Sequence, residues 1–413
     1  MIQNFSRRDA LDLDAGDPLA SLRDRFDLPG GVIYLDGNSL GVLPRATAAH
    51  LTEVAQVQWG RDLVTSWNRH DWIGLPQRLG ARIAPLVGAD ADEVIVCDST
   101  SINLFKLIAA AIAARPGRSV ILTEASGFPT DRYMIDAVAA LDGGRRVRAV
   151  PREAVIAGLD EDVAVVVLTH VDYRSGHLFD MAAVTAAAHA KGALVLWDLS
   201  HSVGAVGVDL KRAAVDLAVG CGYKYLNGGP GAPAFLFVSR PLQAQLPSVL
   251  SGWMGHAQPF AFEQDYRPAE GLTRFLCGTP PILALAALEL GIAQFDDVDL
   301  DHLFAKGRAL GDLYIRLIEQ RCGDYGFVLA TPRAALDRGS HVCFAHDQAY
   351  PICRTLIERG VIGDFRTPDL LRMGFTPLYT RFVDIWDAVE TIRTVMQERA
   401  WDDVRHRQRE SVT

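Results

Sequence analysis

The chain has 413 residues, 49% hydrophobic and 22% charged, which excludes disorder over most of its length and allows two or three domains with a large core. Its 50 acidic and 41 basic residues give a net charge of −9 spread along the sequence, which argues against nucleic acid as the main partner, since phosphate backbones need clustered Lys and Arg. The longest apolar run, Ile102–Ala114, is broken by Asn103 and Lys106 and falls short of the ~20 residues of a spanning helix.

The amino terminus, MIQNFSRRDALDLDAGD, has no apolar signal-peptide core, so a cytoplasmic setting is expected. From about Asp90 to Val238, short apolar runs alternate with helical patterns. The predicted strands are Glu93–Cys97, Ser119–Thr123, Val163–Thr169, Ala193–Asp198, Leu217–Gly220 and Ala234–Val238. Helices are expected between them at Asn103–Ala114, Thr130–Leu141 and Met181–Ala190, the last stopped by Lys191-Gly192. Arg145–Arg148 (RRVR), the densest basic run, reads as a solvated turn. Continuous runs such as VAVVVL and ALVLW predict a mostly parallel sheet covered on both faces, a three-layer α/β domain. After Pro280-Pro281 the pattern becomes α+β. ILALAALELGIAQF and Leu303–Arg321 read as helices, Gly326–Ala330 and Ser340–Ala345 as strands, and Asp384–Arg399 as a closing helix, with a polar tail from Asp402 expected to fray. The six cysteines (Cys97, Cys221, Cys277, Cys322, Cys343, Cys353) form no C-x-x-C pair, so they read as reduced thiols and disfavour a structural zinc site.

Ligands of open α/β sheets bind beyond the carboxyl ends of the strands, so polar residues there carry the chemistry. Cys97-Asp98-Ser99-Thr100-Ser101 ends a strand and opens a helix, which suits either an anion held by hydroxyls and free amides or ordinary capping. Asp198 ends a buried strand, where a carboxylate needs a cation or donor, either a ligand or a structural partner, and His201 follows three residues later. Lys224 follows an apolar strand in the glycine-rich turn GYKYLNGGPGAP. A lysine in partly desolvated surroundings favours its neutral amine, which suits a Schiff base, although a surface loop lysine is the plainer reading. Phosphate cradle, strand-end acid and lysine together match the three demands of pyridoxal phosphate: anion donors, a carboxylate for its ring nitrogen, and an amine for its aldehyde.

The blocks DGNSLG, STSINL, GFPTD, DLSHSVGA, GYKYLNGGPGAP and TPPIL, together with Arg372-Met373-Gly374-Phe375, cover nearly the whole chain. On these blocks the sequence resembles the fold-type-I, class V pyridoxal-phosphate enzymes, and within them the kynureninases. The resemblance implies a large three-layer α/β/α domain over residues 46–282, a smaller α+β domain over 283–413, and an arm over 1–45 that contributes to the small domain and the active site. It makes Lys224 the Schiff-base lysine and proton carrier, and Asp198 the partner of the pyridine nitrogen. Phe128 stacks on the ring with Asp131 beside it, Thr100, Ser101 and Tyr223 hold the phosphate, and His201 lines the site. Tyr223 is also a plausible proton relay. Trp253 and Thr279 match positions that reach a cofactor across a subunit boundary, which implies a homodimer. Arg372 matches the arginine that grips the substrate carboxylate. Ser39 and His70 fall near the aromatic pocket, with Trp67 and Trp72 either walling the substrate ring or packing as core. The implied reaction is hydrolysis of L-kynurenine to anthranilate and L-alanine in tryptophan catabolism. Thr279 stands where animal-type members carry Asn, which weakens the expectation of a 3-hydroxykynurenine preference. Rival readings are a class V aminotransferase, a cysteine desulfurase or a non-catalytic protein of the same fold. Desulfurases typically place His directly before the lysine, where this chain has Tyr223.

Overall fold

A strand with an unbroken apolar run is stable only where both faces of its sheet are covered, and Val163–Thr169 (VAVVVLT), apolar up to its last residue, is such a strand. In the computed structural model, which describes residues 5–141 and 143–410, it lies inside a seven-stranded sheet. The arm supplies a helix at Arg7–Ala15 and a short strand β1 (Ile33–Tyr34). The sheet follows with β2 (Val94–Val96), β3 (Val120–Glu124), β4 (Arg146–Val150), β5 (Val163–Thr169), β6 (Leu194–Asp198), β7 (Leu217–Gly220) and β8 (Phe235–Val238), in the order β2-β8-β7-β6-β5-β3-β4. Only β8 runs against the others.

Alternation along β5 decides which helices cover which face. Val165 and Val167 pack with Leu104, Leu107 and Ile135 of helices Thr100–Ala113 and Pro129–Leu141. Val166 and Leu168 face Met181, Val184, Leu285 and Leu288 of helices Met181–Ala190 and Ile282–Ile292. Arg146–Val150 is therefore not a solvated turn. Val147 and Ala149 supply apolar positions, while Arg146 pairs with Asp162 (2.5 Å) and Arg148 with Asp160 (2.8 Å). The basic run is an edge strand whose charged side chains blunt the free edge.

The second layer group is an antiparallel sheet of β9 (Val328–Leu329), β10 (His341–Ala345), β12 (Asp364–Arg366) and β13 (Leu370–Gly374), in the order β12-β13-β10-β9. Strand β11 (Val361–Ile362) pairs instead with β1, which ties the arm to this part of the chain. Helices Leu300–Cys322, Ala349–Glu358 and Phe382–Glu398 pack around one apolar cluster, and Asp14 of the arm accepts from the Phe382 and Val383 amides at the start of the last helix (2.7 and 3.0 Å). The tail does not fray over its described residues. Buried His406 meets Thr355 (3.0 Å), Glu410 pairs with Arg354 (2.9 Å), and the Arg409 guanidinium lies over the rings of Tyr350 and Phe365. Residues 411–413 of the expected fraying segment lie outside the described residues. No helix among the described residues is long and apolar enough to cross a membrane.

Candidate active site

The carboxyl ends of β3, β5, β6 and β7 open on one side of the sheet, and the side chains predicted to carry chemistry converge there. After β7 the chain turns tightly through Gly220-Cys221-Gly222 and presents Lys224, half-buried, with Nζ 3.0 Å from His201 Nε2. The rings of Phe128 and Tyr223 flank that amine, with centroids 5.9 and 5.8 Å away. The turn closes at Asn227, which takes a left-handed φ of 54° and donates its amide to the Lys224 carbonyl (2.9 Å). DGNSLG buttresses this loop from the arm: the Gly41 amide donates to the Tyr223 carbonyl (2.8 Å), and any Cβ at Gly41 would strike the Lys224 carbonyl and Asn227.

Beneath the lysine lie two buried carboxyls. Asp198, at the end of β6, accepts from the Ser200 amide (2.7 Å), and Asp131 accepts from the Thr169 hydroxyl (2.8 Å) while its Oδ1 has no partner. Burial raises the proton affinity of both, and the neighbouring Asp198 raises that of Asp131 further. Ser200 and the Lys224 charge draw Asp198 back toward ionisation. Asp131 is thus the member held further above the usual carboxylate range. A buried carboxylate of this kind fits a protonated pyridine nitrogen.

The capping reading of the Ser-Thr cluster is what the structure shows: Ser99 is the cap, accepting from the Ile102 amide (3.4 Å), and Thr100 and Ser101 follow on the first turn of a 14-residue helix. Asp98, at a left-handed φ of 49°, turns the chain there and is held by the buried Lys106, which also donates to the Phe275 carbonyl (2.6 Å).

Arg372 sits on β13 and is 1% exposed. Register puts Asp364 of β12 directly opposite, and the two form a bidentate pair, Nε to Oδ1 at 2.7 Å and Nη2 to Oδ2. Ser39 accepts from Nη2 (3.0 Å), the Tyr173 carbonyl accepts from Nη1, and the Asn38 amide oxygen, correctly oriented, lies 3.0 Å from Nε and Nη2. The guanidinium is therefore already held by the protein. Arg366, also on Asp364 (2.7 Å), keeps a buried Nε without a partner, and it lines a cavity of about 450 Å³ with Asp36, Ser39, Tyr173, Tyr350 and Arg409. Burial and the neighbouring Asp364 push the Asp36 carboxyl up to about 8. Sequence reasoning missed Asn38, although it lies in the DGNSLG block, and Asp364 and Arg366, whose only signal was a D-x-R run beginning eight residues before Arg372.

Other expected residues stand apart. His70 hydrogen-bonds Asp62 (2.7 Å), a carboxylate it shares with Arg69, rather than any member of the Lys224 cluster. Trp67 and Trp72 pack edge to face at 5.7 Å, and the Trp72 indole donates to Gln58 (2.8 Å). Trp253 lies exposed against Phe260 and Phe262, and Thr279 is exposed.

A seven-stranded sheet with one reversed strand, a lysine in the turn after β7 and an acid ending β6 define the fold-type-I, class V group of pyridoxal-phosphate enzymes. Solved structures agree: a cysteine desulfurase from Thermococcus onnurineus NA1 superposes with a TM-score of 0.76 at 17% identity, covering 92% of this chain and 98% of that one. A C-DES variant with glycine covalently linked to its PLP cofactor also gives 0.76 at 17%, covering 90% and 98%. Sequence narrows the class. The kynureninase C-terminal domain family matches residues 303–392. A kynureninase of Pseudomonas fluorescens is 49% identical over 99% of this chain and 100% of its own length, and one of Burkholderia mallei is 50% identical over 96% and 97%. The chain belongs to the kynureninase family.

Proposed function

We propose that the chain hydrolyses L-kynurenine to anthranilate and L-alanine with pyridoxal phosphate held on Lys224. The observation that carries this reading is the convergence of Lys224, the ring of Phe128 and the buried Asp198 beyond the strand ends, in a chain 49% identical to a kynureninase. When bound, the cofactor supplies an electron sink for charge released from the substrate carbons.

Each residue then has a task. Thr100, Ser101 and Tyr223 hold the phosphate, Phe128 stacks on the ring, and Asp198 keeps the ring nitrogen protonated while Asp131 stays neutral beside it. Lys224 removes and returns protons at the substrate Cα, and His201, 3.0 Å away, orients its amine. Arg372, which Asp364 and Ser39 hold in place, receives the carboxylate. Water adds its oxygen to the γ-carbonyl carbon, the Cβ–Cγ bond breaks, and Cβ gains a proton to become the methyl of alanine. Tyr223 is placed to move protons at that stage, and burial keeps its phenol protonated. Exposed Trp253 and Thr279 suit a homodimer in which each copy completes its partner's site, in a cytoplasmic enzyme of tryptophan catabolism.

The cysteines speak against a desulfurase. None of the six is exposed, and burial pushes the thiols of Cys97, Cys322 and Cys343 up to about 12, so none is a ready thiolate. The test is anthranilate fluorescence after L-kynurenine is added to protein loaded with pyridoxal phosphate, with 3-hydroxykynurenine and L-cysteine in parallel. Rapid anthranilate release is expected, without a preference for the hydroxylated substrate. Silence with both kynurenines and sulfur release from cysteine would overturn the assignment.

A further inference from the structure

His341, on β10, is a residue the motifs do not mark. It is fully buried, yet neither ring nitrogen has a hydrogen-bond partner, and its ring centroid lies 5.4 Å from that of His201. His201 is buried as well, and its Nδ1 is also without a partner. A Lys224 ammonium can only donate, so His201 Nε2 at 3.0 Å accepts and the ring hydrogen belongs on Nδ1. A buried N–H left without an acceptor is costly, and the neighbouring ring of His341 is the one group placed to offer a lone pair among the described aromatic contacts of His201. Resting on the cofactor reading above, we propose that His341 is a positioning residue: it accepts the Nδ1 hydrogen of His201 through one bound water, and so fixes His201 as the acceptor that orients the Lys224 amine.

The surroundings suit an uncharged acceptor. Lys224 in the turn after β7 and Arg372 on β13 face both rings, Arg366 on β12 also faces His201, and Asp364 on β12 faces His341. Burial, then the neighbouring cations, holds both imidazoles neutral, and His341 is brought down to about 3. A neutral His341 keeps one nitrogen free to accept throughout the working pH range.

The test uses the full chain loaded with pyridoxal phosphate. Its visible absorption is titrated for wild type, His341→Phe and His341→Gln, with kcat and KM for L-kynurenine alongside. His341→Phe removes the acceptor and is expected to move the absorption midpoint by about half a pH unit or more. It should lower kcat about tenfold while KM changes less than about threefold. His341→Gln keeps an acceptor oxygen and is expected to restore the midpoint. A folded His341→Phe with the wild-type midpoint would overturn the proposal. The imidazole 15N spectrum of the wild type gives a second decision that needs no cofactor: hydrogen on His201 Nδ1 supports the proposal, and hydrogen on Nε2 overturns it even where His341→Phe fails to fold. A wild type that develops no absorption band condemns the cofactor reading instead and leaves the decision to that spectrum.

Discussion

Asp198 and Asp131 bury two carboxyls side by side, and only one of them can carry charge without a counterion. If Asp198 holds the cofactor's ring nitrogen, Asp198→Ala removes a charge-assisted bond worth ~1.5–3 kcal/mol and weakens cofactor binding by about ten- to a hundredfold. Equilibrium titration of the cofactor checks this, and near-normal affinity would give the nitrogen another partner. Asp36 offers a pH test. Its folded carboxyl is raised to about 8, so the stabilisation from its neutral form is complete below the unfolded value near 4 and is lost as pH rises toward 8. Asp36→Asn stays neutral, so its melting temperature should gain on the wild type progressively from about pH 5 to pH 8. A gap that does not change with pH would refute this. Lys224, Asp198 and Thr100 were legible in the sequence because each follows an apolar strand, where a polar side chain needs a reason. Asp364, Arg366 and His341 were not, because their pairing comes from the register of a short antiparallel sheet with no clean alternation.

The turn after β7 depends on an element far away in sequence. Gly41 packs against the Lys224 carbonyl, so Gly41→Ala forces the lysine loop aside at a cost of ~1–3 kcal/mol. Calorimetry should show the lower stability, and cofactor titration a weaker Kd; a variant equal to wild type in both would contradict the buttress. The helix at Thr100–Ala113 makes a contrasting case, since Ser99→Ala removes only its cap and costs about 1 kcal/mol without touching Thr100 or Ser101. Most elements around the site were readable, since unbroken apolar runs between helices leave few alternatives to a covered parallel sheet. The edge strand β4 was not, because its exposed arginines give a strand the composition of a loop. Helix Ala349–Glu358 and strands β12 and β13 were missed for a related reason: they are short and packed on a tail whose polar composition hides its docking.

The molecule as a whole joins its ends to its second sheet. The arm reaches helix Phe382–Glu398 through Arg7 and Asp387 (2.7 Å), and the tail covers Tyr350 and Phe365. We propose that 1–45, 46–282 and 283–413 act as arm, large domain and small domain. Removing residues 402–413 uncovers Phe365, whose strand carries Asp364 and Arg366, so the melting temperature should fall by a few degrees and KM should rise more than kcat falls. Sedimentation should show twice the chain mass for the intact protein and a weaker dimer for Trp253→Ala, whose ring lies exposed with Phe260 and Phe262. The expectation of a second copy rests on resemblance alone, since an exposed Trp in one chain does not say what covers it. The central claim is that the chemistry is anchored on Lys224, and the most direct measurement is to reduce the loaded protein with borohydride, digest it and locate the fixed cofactor by mass spectrometry. The account predicts the cofactor on Lys224, with none fixed in Lys224→Ala; a cofactor fixed on Lys106 or any other lysine would contradict it.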